Sequence, residues 1–380
     1  MLFKNSNYLQ IDASRCLNQL HQGVECRHCV NHCPGEALVL SKHDIYLIQD
    51  KCLGCGLCFS DCPTQVFTSK QWDETTIVAT LKEQKARETQ FFCGRHSTPY
   101  LAKEERDKAA IQIPTCLSSV SKGAWYEIGL LTEVELRLDE CEECPMKGSL
   151  ARLCLAVNTA LEWLNASGHP AEFSYIEIAE KAKRKKKLQA ASCGLKITSR
   201  RDLFLSLLGR GNDSNTPDGS ERRISILELR KKHKLNVLPD WQKRFAESYQ
   251  NHFREGGSSA YWPSIKMKTD CVNCGMCARY CPTQALQIKV EGNECTHSFV
   301  SGYCLDCRIC MLACPTQSII RERQVDQEPF EVKDIYKVPV TECKRCATHT
   351  LVNEGNLCYW CAKEPNQQDL LSDIRQKLFG

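Results

Sequence analysis

"CVNCGMCARYCP" fills residues 271–282 and "CLDCRICMLACP" fills residues 304–315. Each reads C-x2-C-x2-C-x3-C-P, three cysteines in a tight loop and a fourth directly before a proline. Thiolates two residues apart reach three irons of one cube, while the fourth sulfur crosses to a neighbouring cube. Cys271, Cys274, Cys277 and Cys314 are therefore one expected 4Fe-4S set, and Cys304, Cys307, Cys310 and Cys281 a second. Val272, Met276, Leu305 and Ile309 lie between the ligands, where apolar side chains keep water from the sulfurs. The proline falls where the chain leaves the loop for a helix, a place where its missing N–H costs nothing. Two zinc sites would leave ligands in excess.

The design recurs near the start of the chain with one change. Residues 52–63, "CLGCGLCFSDCP", are regular, but in the preceding run nine residues separate Cys16 from Cys26, before Cys29, Cys33 and Pro34 follow in register. The crossover rule groups Cys16, Cys26, Cys29 and Cys62 at one cube, and Cys52, Cys55, Cys58 and Cys33 at another. Two readings of Cys16 stay open: a longer loop that still delivers it, or an idle cysteine beside a three-iron cluster. His21, His28 and His32 read as loop histidines rather than ligands.

These runs resemble the bacterial-type two-cluster ferredoxins, over residues 12–70 and again over 265–323. The resemblance implies a β-α-β-β-α-β fold in each copy, with paired clusters close enough for fast electron exchange.

Between the copies the pattern turns to helix and strand in alternation. "TTIVATLKEQKA" and "SKGAWYEIGLL" predict helices, as does "GSLARLCLAVNTALEWLNASG", stopped by Gly168. "TQFF", "AAIQIPT", "EVELRLDE" and "AEFSYIEI" predict strands. Such alternation makes a parallel sheet, whose ligands gather at the carboxyl ends of the strands. Cys93, Cys116, Cys141 and Cys144 all fall at such ends. The segments "FFCGRH", "PTCLSS" and "DECEECPMKG" resemble the small delta-type iron–sulfur subunit of methyl-viologen-reducing hydrogenases, found also in heterodisulfide-reductase-like proteins. This chain departs from that family in having a single cysteine near Cys93 and an x2 final spacing. The resemblance implies a 2Fe-2S cluster on those four cysteines; zinc and a purely structural site are the alternatives. Cys154 reads as core, and Cys193 and Cys295 as extras, although Cys193 could replace a missing ligand.

The connecting region is basic, with "KAKRKKK" at 181–187 and a polar stretch, "GRGNDSNTPDGSERR", whose composition cannot order itself. Within it "SRRDLFLSLLG" reads as a short helix capped by Ser199 and stopped by Gly209, with Leu203, Phe204, Leu207 and Leu208 as its apolar face. Near the end, "CKRC" and "CYWC" give C-x2-C-x11-C-x2-C. Cys343, Cys346, Cys358 and Cys361 then suit a closed zinc ribbon, with rubredoxin-type iron the alternative.

Composition sets outer limits. The 380 residues suffice for several cores, and 27 cysteines far exceed what packing needs. The opening "MLFKNSNYLQID" has no apolar run or cleavage site, and no stretch is long enough to span a membrane, so a cytoplasmic location with reduced cysteines is expected. A net charge of +4 gives no reason to expect nucleic-acid binding. A complete dinucleotide fingerprint, a phosphate loop and a nucleophile beside a base are all missing from the pattern. The expected architecture is α+β and multidomain: a ferredoxin module at 1–72, an α/β parallel-sheet domain at 73–180, a basic helical linker at 181–262, a second ferredoxin module at 263–335 and a zinc-ribbon tail at 336–380. Four 4Fe-4S clusters, one 2Fe-2S cluster and one zinc ion are the expected cofactors. The expected function is electron transfer between a flavoprotein or hydrogenase-type donor and a partner oxidoreductase, with thiol/disulfide catalysis in the central domain, or redox or iron sensing, as alternatives.

Overall fold

The computed structural model describes residues 9–21, 23–96, 108–177, 236–363 and the backbone of 191–192. The basic run, the segment around Ser199 to Gly209 and Cys193 lie outside the described residues. The chain divides into two compact units, Met1–Ser258 and Ser259–Gly380.

The first unit begins with strand β1 (Leu9–Ile11), helices α1 (Leu17–Leu20) and α2 (His28–Asn31), and strands β2 (Leu38–Ser41) and β3 (Asp44–Leu47). Helix α3 (Leu57–Asp61) and strand β4 (Phe67–Ser69) complete a ferredoxin-like module. β1 pairs antiparallel with β4, Leu9 opposite Ser69, and β2 with β3, Leu38 opposite Leu47. Its core is small: Leu38, Val66 and Phe67 close over Cys16 and Cys62, with Leu9, Val30, Ile45 and Leu47 packed round them. A module this size buries little apolar surface, so its cysteines are a large part of what it has to hold it together.

An α/β domain follows: helix α4 (Glu74–Gln84), strands β5 (Glu88–Cys93) and β6 (Lys108–Ile113), helix α5 (Lys122–Gly129), strand β7 (Glu133–Arg137), helix α6 (Leu150–Ala166) and strand β8 (Phe173–Ile176). A two-residue strand β9 (Ala191–Ser192) and helix α7 (Asp240–His252) complete it. The sheet is parallel throughout, in the order β8-β7-β5-β6-β9. The chain therefore builds outward from β5 first to β6 and then to β7, which makes the gap between β5 and β7 the topological switch point. α4 starts where Asp73 accepts the Thr76 N–H at 3.1 Å, and α5 where Ser121 accepts that of Ala124. α6 ends in a Schellman turn: Gly168, at φ 77°, donates to the Asn165 carbonyl and His169 to that of Leu164.

The expected linker gives way here. α7 is an integral helix of the first unit: Trp241, Phe245 and Tyr249 are buried, and the Phe245 ring stacks on Trp163 at 4.2 Å and meets Tyr126 edge-on at 4.9 Å. Arg244 bridges Glu74 (2.9 Å) and Glu127 (3.3 Å). The charged residues that marked this stretch as a linker are the outer face of an amphipathic helix whose inner face is aromatic.

The second unit repeats the first module's path with β10 (Tyr261–Met267), α8 (Met276–Arg279), β11 (Leu286–Glu291), β12 (Glu294–Phe299), α9 (Ile309–Ala313) and β13 (Ile319–Val325). β10 pairs with β13, and β11 with β12, both antiparallel. The tail does not stand alone as 336–380. Strand β14 (Lys333–Glu342) adds to β12, and β15 (His349–Leu351) to β14, before helix α10 (Tyr359–Lys363), so one sheet, β11-β12-β14-β15, runs from module to tail.

Candidate metal centres

The cysteine loops share a backbone device. The residues on either side of the second loop cysteine have positive φ: Gly54 and Gly56 at 68° and 74°, Asn273 and Gly275 at 49° and 71°, Asp306 and Arg308 at 57° and 60°. The residue three after each proline-preceding cysteine does likewise: Glu36, Gln65, Gln284 and Gln317, at 49°, 54°, 58° and 53°. The irregular first run thus leaves its cysteine by the same turn as the three regular ones. The Ala37 N–H points at Cys33 Sγ (3.3 Å), that of Val66 at Cys62 Sγ (3.4 Å) and that of Ser318 at Cys314 Sγ (3.3 Å). Such N–H groups favour thiolate over thiol.

Cys16, Cys26, Cys29 and Cys62 line one cavity; Cys33, Cys52, Cys55 and Cys58 line the next, which Cys29 also borders. Asn18 ties the long loop down by accepting the Cys26 N–H at 2.6 Å and donating to the Cys26 carbonyl at 2.8 Å, and Cys16 is buried. In the second unit Cys281, Cys304, Cys307 and Cys310 line a cavity. Beside burial, the charges of Cys274 and Cys314 raise Cys271, that of Cys314 raises Cys274, and those of Cys271 and Cys274 raise Cys277. Burial dominates these thiols, pushing Cys55, Cys277, Cys304 and Cys310 up to about 12 and Cys307 to about 11. Cys314 is the exception: burial raises it, but the Ser318 N–H and the Thr316 hydroxyl outweigh burial and leave it lowered. Sulfurs crowded in fours are stable as thiolates only against bound cations, and linings of four cysteines among mainly apolar side chains, with a few polar ones such as Asp61, Thr64 and Arg321, fit iron–sulfur cubes.

The four central cysteines, drawn from three strand ends, also meet. Cys93, Cys116, Cys141 and Cys144 line one cavity with His96, Arg137, Glu140 and Ser149, at the carboxyl edge beside the switch point. Burial and the charges of the other three push Cys141 up to about 12. The Met146 N–H lies 3.5 Å from Cys144 Sγ. The donor set fits a small thiolate-held metal centre. Sequence reasoning missed the side chains behind it. His96, 3% exposed, places Nδ1 3.6 Å from Cys93 Sγ and Nε2 3.2 Å from Asp139 Oδ1, while Arg137 Nε donates to the same oxygen at 3.2 Å. A thiol beside an imidazole is thus present after all; the signal was the histidine three residues on in "FFCGRH".

This edge abuts the first ferredoxin module. The Cys116 N–H donates to the Cys55 carbonyl at 3.1 Å, and Ser60 Oγ to the Ser118 carbonyl at 2.6 Å. Buried Asp61 accepts from Arg152 of α6 and pairs with His32 Nδ1 at 2.8 Å.

In the tail, the sulfurs of Cys343, Cys346, Cys358 and Cys361 all lie within 4.8 Å of one another, with Cys346 and Cys358 3.7 Å apart. A tetrahedral Zn–S shell needs sulfurs about 3.8 Å apart, so the set fits an ion of that size. The Cys358 N–H, 3.2 Å from Cys343 Sγ, leads in drawing that thiol down to about 6. Cys295 is excluded from ligation by its place: fully buried, it donates its S–H to Asn273 Oδ1 at 3.3 Å. Cys154 is only half-buried on α6. Among the described residues no helix is long and apolar enough to cross a membrane.

The 4Fe-4S dicluster domain family matches residues 22–66 and 270–318. An uncharacterized ferredoxin of Methanocaldococcus jannaschii is 38% identical over 55 residues, which are 14% of this chain and 81% of that protein. A ferredoxin of Methanothermococcus thermolithotrophicus is 34% identical over 62 residues, 16% of this chain and 95% of its own length. With nearly whole ferredoxins matched and two dicluster domains in the chain, this protein belongs to the 4Fe-4S dicluster ferredoxin family.

Proposed function

We propose that the chain is a multi-centre electron relay, in which Cys16, Cys26, Cys29 and Cys62, Cys52, Cys55, Cys58 and Cys33, Cys271, Cys274, Cys277 and Cys314, and Cys304, Cys307, Cys310 and Cys281 each hold one 4Fe-4S cluster. Cys93, Cys116, Cys141 and Cys144 hold a 2Fe-2S cluster, and Cys343, Cys346, Cys358 and Cys361 a structural zinc. The observation that carries this is the grouping of buried and half-buried cysteines in fours, most of them raised by burial, so that bound metal supplies the opposing charge. The protein's part is to fix the loops, aim N–H groups at sulfur and exclude water, which together set the potentials. A flavoprotein or hydrogenase-type subunit as donor, and a partner oxidoreductase as acceptor, fit single-electron chemistry of this kind.

Anaerobic metal and sulfide analysis with low-temperature EPR tests the assignment. About 18 irons and about one zinc are expected per chain. About eight irons would reject half of it.

A second reading rests on Cys93, His96 and Asp139, whose chain of contacts resembles the arrangement that activates a cysteine for thiol–disulfide exchange. Burial raises the Cys93 thiol, however, whereas a reactive cysteine needs a lowered one, and this weighs for metal. Turnover of a small disulfide by the full chain with an artificial donor, unchanged after iron is removed from the central site, would favour the second reading.

A further inference from the structure

The Cys55 to Cys116 contact joins a ligand loop of one candidate centre directly to a ligand of another. Cys55 belongs to the cavity shared with Cys33, Cys52 and Cys58, and Cys116 to the central cavity. One hydrogen bond, Cys116 N–H to Cys55 C=O at 3.1 Å, is all that separates the two main chains there. The contact is clamped on both sides, by Ser60 on the Ser118 carbonyl and by Arg152 on Asp61. Its closeness also dictates a residue: a Cβ on Gly56 would stand 2.8 Å from Ser119 Cβ.

We propose that this hydrogen bond is the electronic junction of the first unit, so that the N-terminal module exchanges electrons with the central site through Cys55 and Cys116, from its Cys33/Cys52/Cys55/Cys58 centre and not from the other. The proposal rests on the reading of the central cysteines as a redox metal site. One electron leaves one centre and enters the other; no bond is made or broken and no proton moves. Two ligand sulfurs linked by a short covalent path and a single hydrogen bond couple more strongly than centres separated by packed side chains, because each through-space gap weakens the overlap. Among the described residues no main-chain hydrogen bond joins Cys16, Cys26, Cys29 or Cys62 to a central cysteine.

The second unit supplies the control. Gly275 occupies the same loop position as Gly56 at almost the same φ, 71° against 74°, but a Cβ there meets nothing closer than Ile288 Cδ1 at 3.8 Å. Gly56→Ala and Gly275→Ala therefore impose the same backbone strain, and only the first pushes on the junction. The full chain, reconstituted anaerobically and partly reduced, is followed by EPR for spin–spin splitting and relaxation enhancement between a 4Fe-4S signal and the central signal. Wild type and Gly275→Ala should show the interaction. Gly56→Ala and the clamp variant Ser60→Ala/Arg152→Ala, which touches no ligand, should lose it at unchanged iron content. Full interaction in both junction variants would overturn the junction alone. Iron content unaltered by Cys141→Ser/Cys144→Ser would overturn the metal reading of the central site, and the junction with it.

Discussion

Gly56 and Gly275 hold the same place in the loops of the two ferredoxin modules, at φ 74° and 71°, while the last loop has Arg308 there at 60°. The backbone is the same in all three; the side chain is not. Gly56 faces Ser119 of the central domain and has no room for a Cβ, whereas a Cβ on Gly275 would meet only Ile288 Cδ1, at an ordinary contact distance of 3.8 Å. The loop shape thus belongs to the metal centre, and the residue filling it belongs to the neighbour. The modules differ in the same sense as wholes. The N-terminal one abuts an α/β domain at a ligand loop, and the C-terminal one extends its own sheet with β14 and β15. A duplicated cysteine framework therefore marks where centres are built, and the departures from repetition mark what each copy is joined to.

The strongest way to break the comparison is at its least regular point. If the nine-residue insertion still delivers a complete site, Cys16→Ala should cost a whole centre, a fall of about four irons by anaerobic analysis, matching Cys62→Ala. Iron unchanged by Cys16→Ala, with a three-iron EPR signal already present in wild type, would make Cys16 idle.

Next in size is the attachment of α7. Phe245→Ala removes a ring stacked on Trp163 and packed against Tyr126, and should destabilise the first unit by about 3–5 kcal/mol. Denaturant unfolding of the full chain, read by exchange protection of β5 and of β12, should show the loss in the first unit only. A change below about 0.5 kcal/mol would return this helix to the status of a linker.

These two cases also show what the sequence could and could not disclose. Ligand spacing is local and covalent, so C-x2-C-x2-C-x3-C-P reads directly, and the alternation of strands predicted β5 to β8 and the convergence of Cys93, Cys116, Cys141 and Cys144 at one edge. Contacts made across long separations leave no such trace. Asp240–His252 looked like linker because its charges are on the outside and its aromatic partners, Tyr126 and Trp163, are far away in the chain. The pairing of β14 with β12 was hidden because strand addition needs only a free edge, and His96 because its carboxylate partner, Asp139, is 43 residues on.

The second unit carries a buried histidine on β12. His297 is 1% exposed, its Nε2 2.7 Å from Asn273 Oδ1 and its Nδ1 without a hydrogen-bond partner among the described residues. Burial lowers it from 6.5 to about 4. Below pH 6.5 the unfolded chain takes up a proton that the folded one refuses, so stability is intact above that pH and falls as pH drops through the folded value. The loss approaches about 3 kcal/mol. Exchange protection of β12 measured from pH 7 to pH 4 should show this slope, and His297→Gln should flatten it; an equal slope in the variant would assign it to other groups.

The smallest effect tests the loop itself. Arg308 sits at φ 60°, a conformation that costs a residue with a Cβ about 1–2 kcal/mol. Arg308→Gly relieves that strain but adds conformational freedom to the unfolded chain, worth about 0.4–1 kcal/mol in the opposite direction. Since relief exceeds the entropic loss, the variant should be more stable by about 0.5–1 kcal/mol, seen as slower exchange of α9 and β13 in the full chain at unchanged iron content. A decrease would mean that the Arg308 side chain, which borders the cavity of Cys304, Cys307 and Cys310, holds the loop by contacts that outweigh its backbone strain, and that this position answers to a neighbour as Gly56 does.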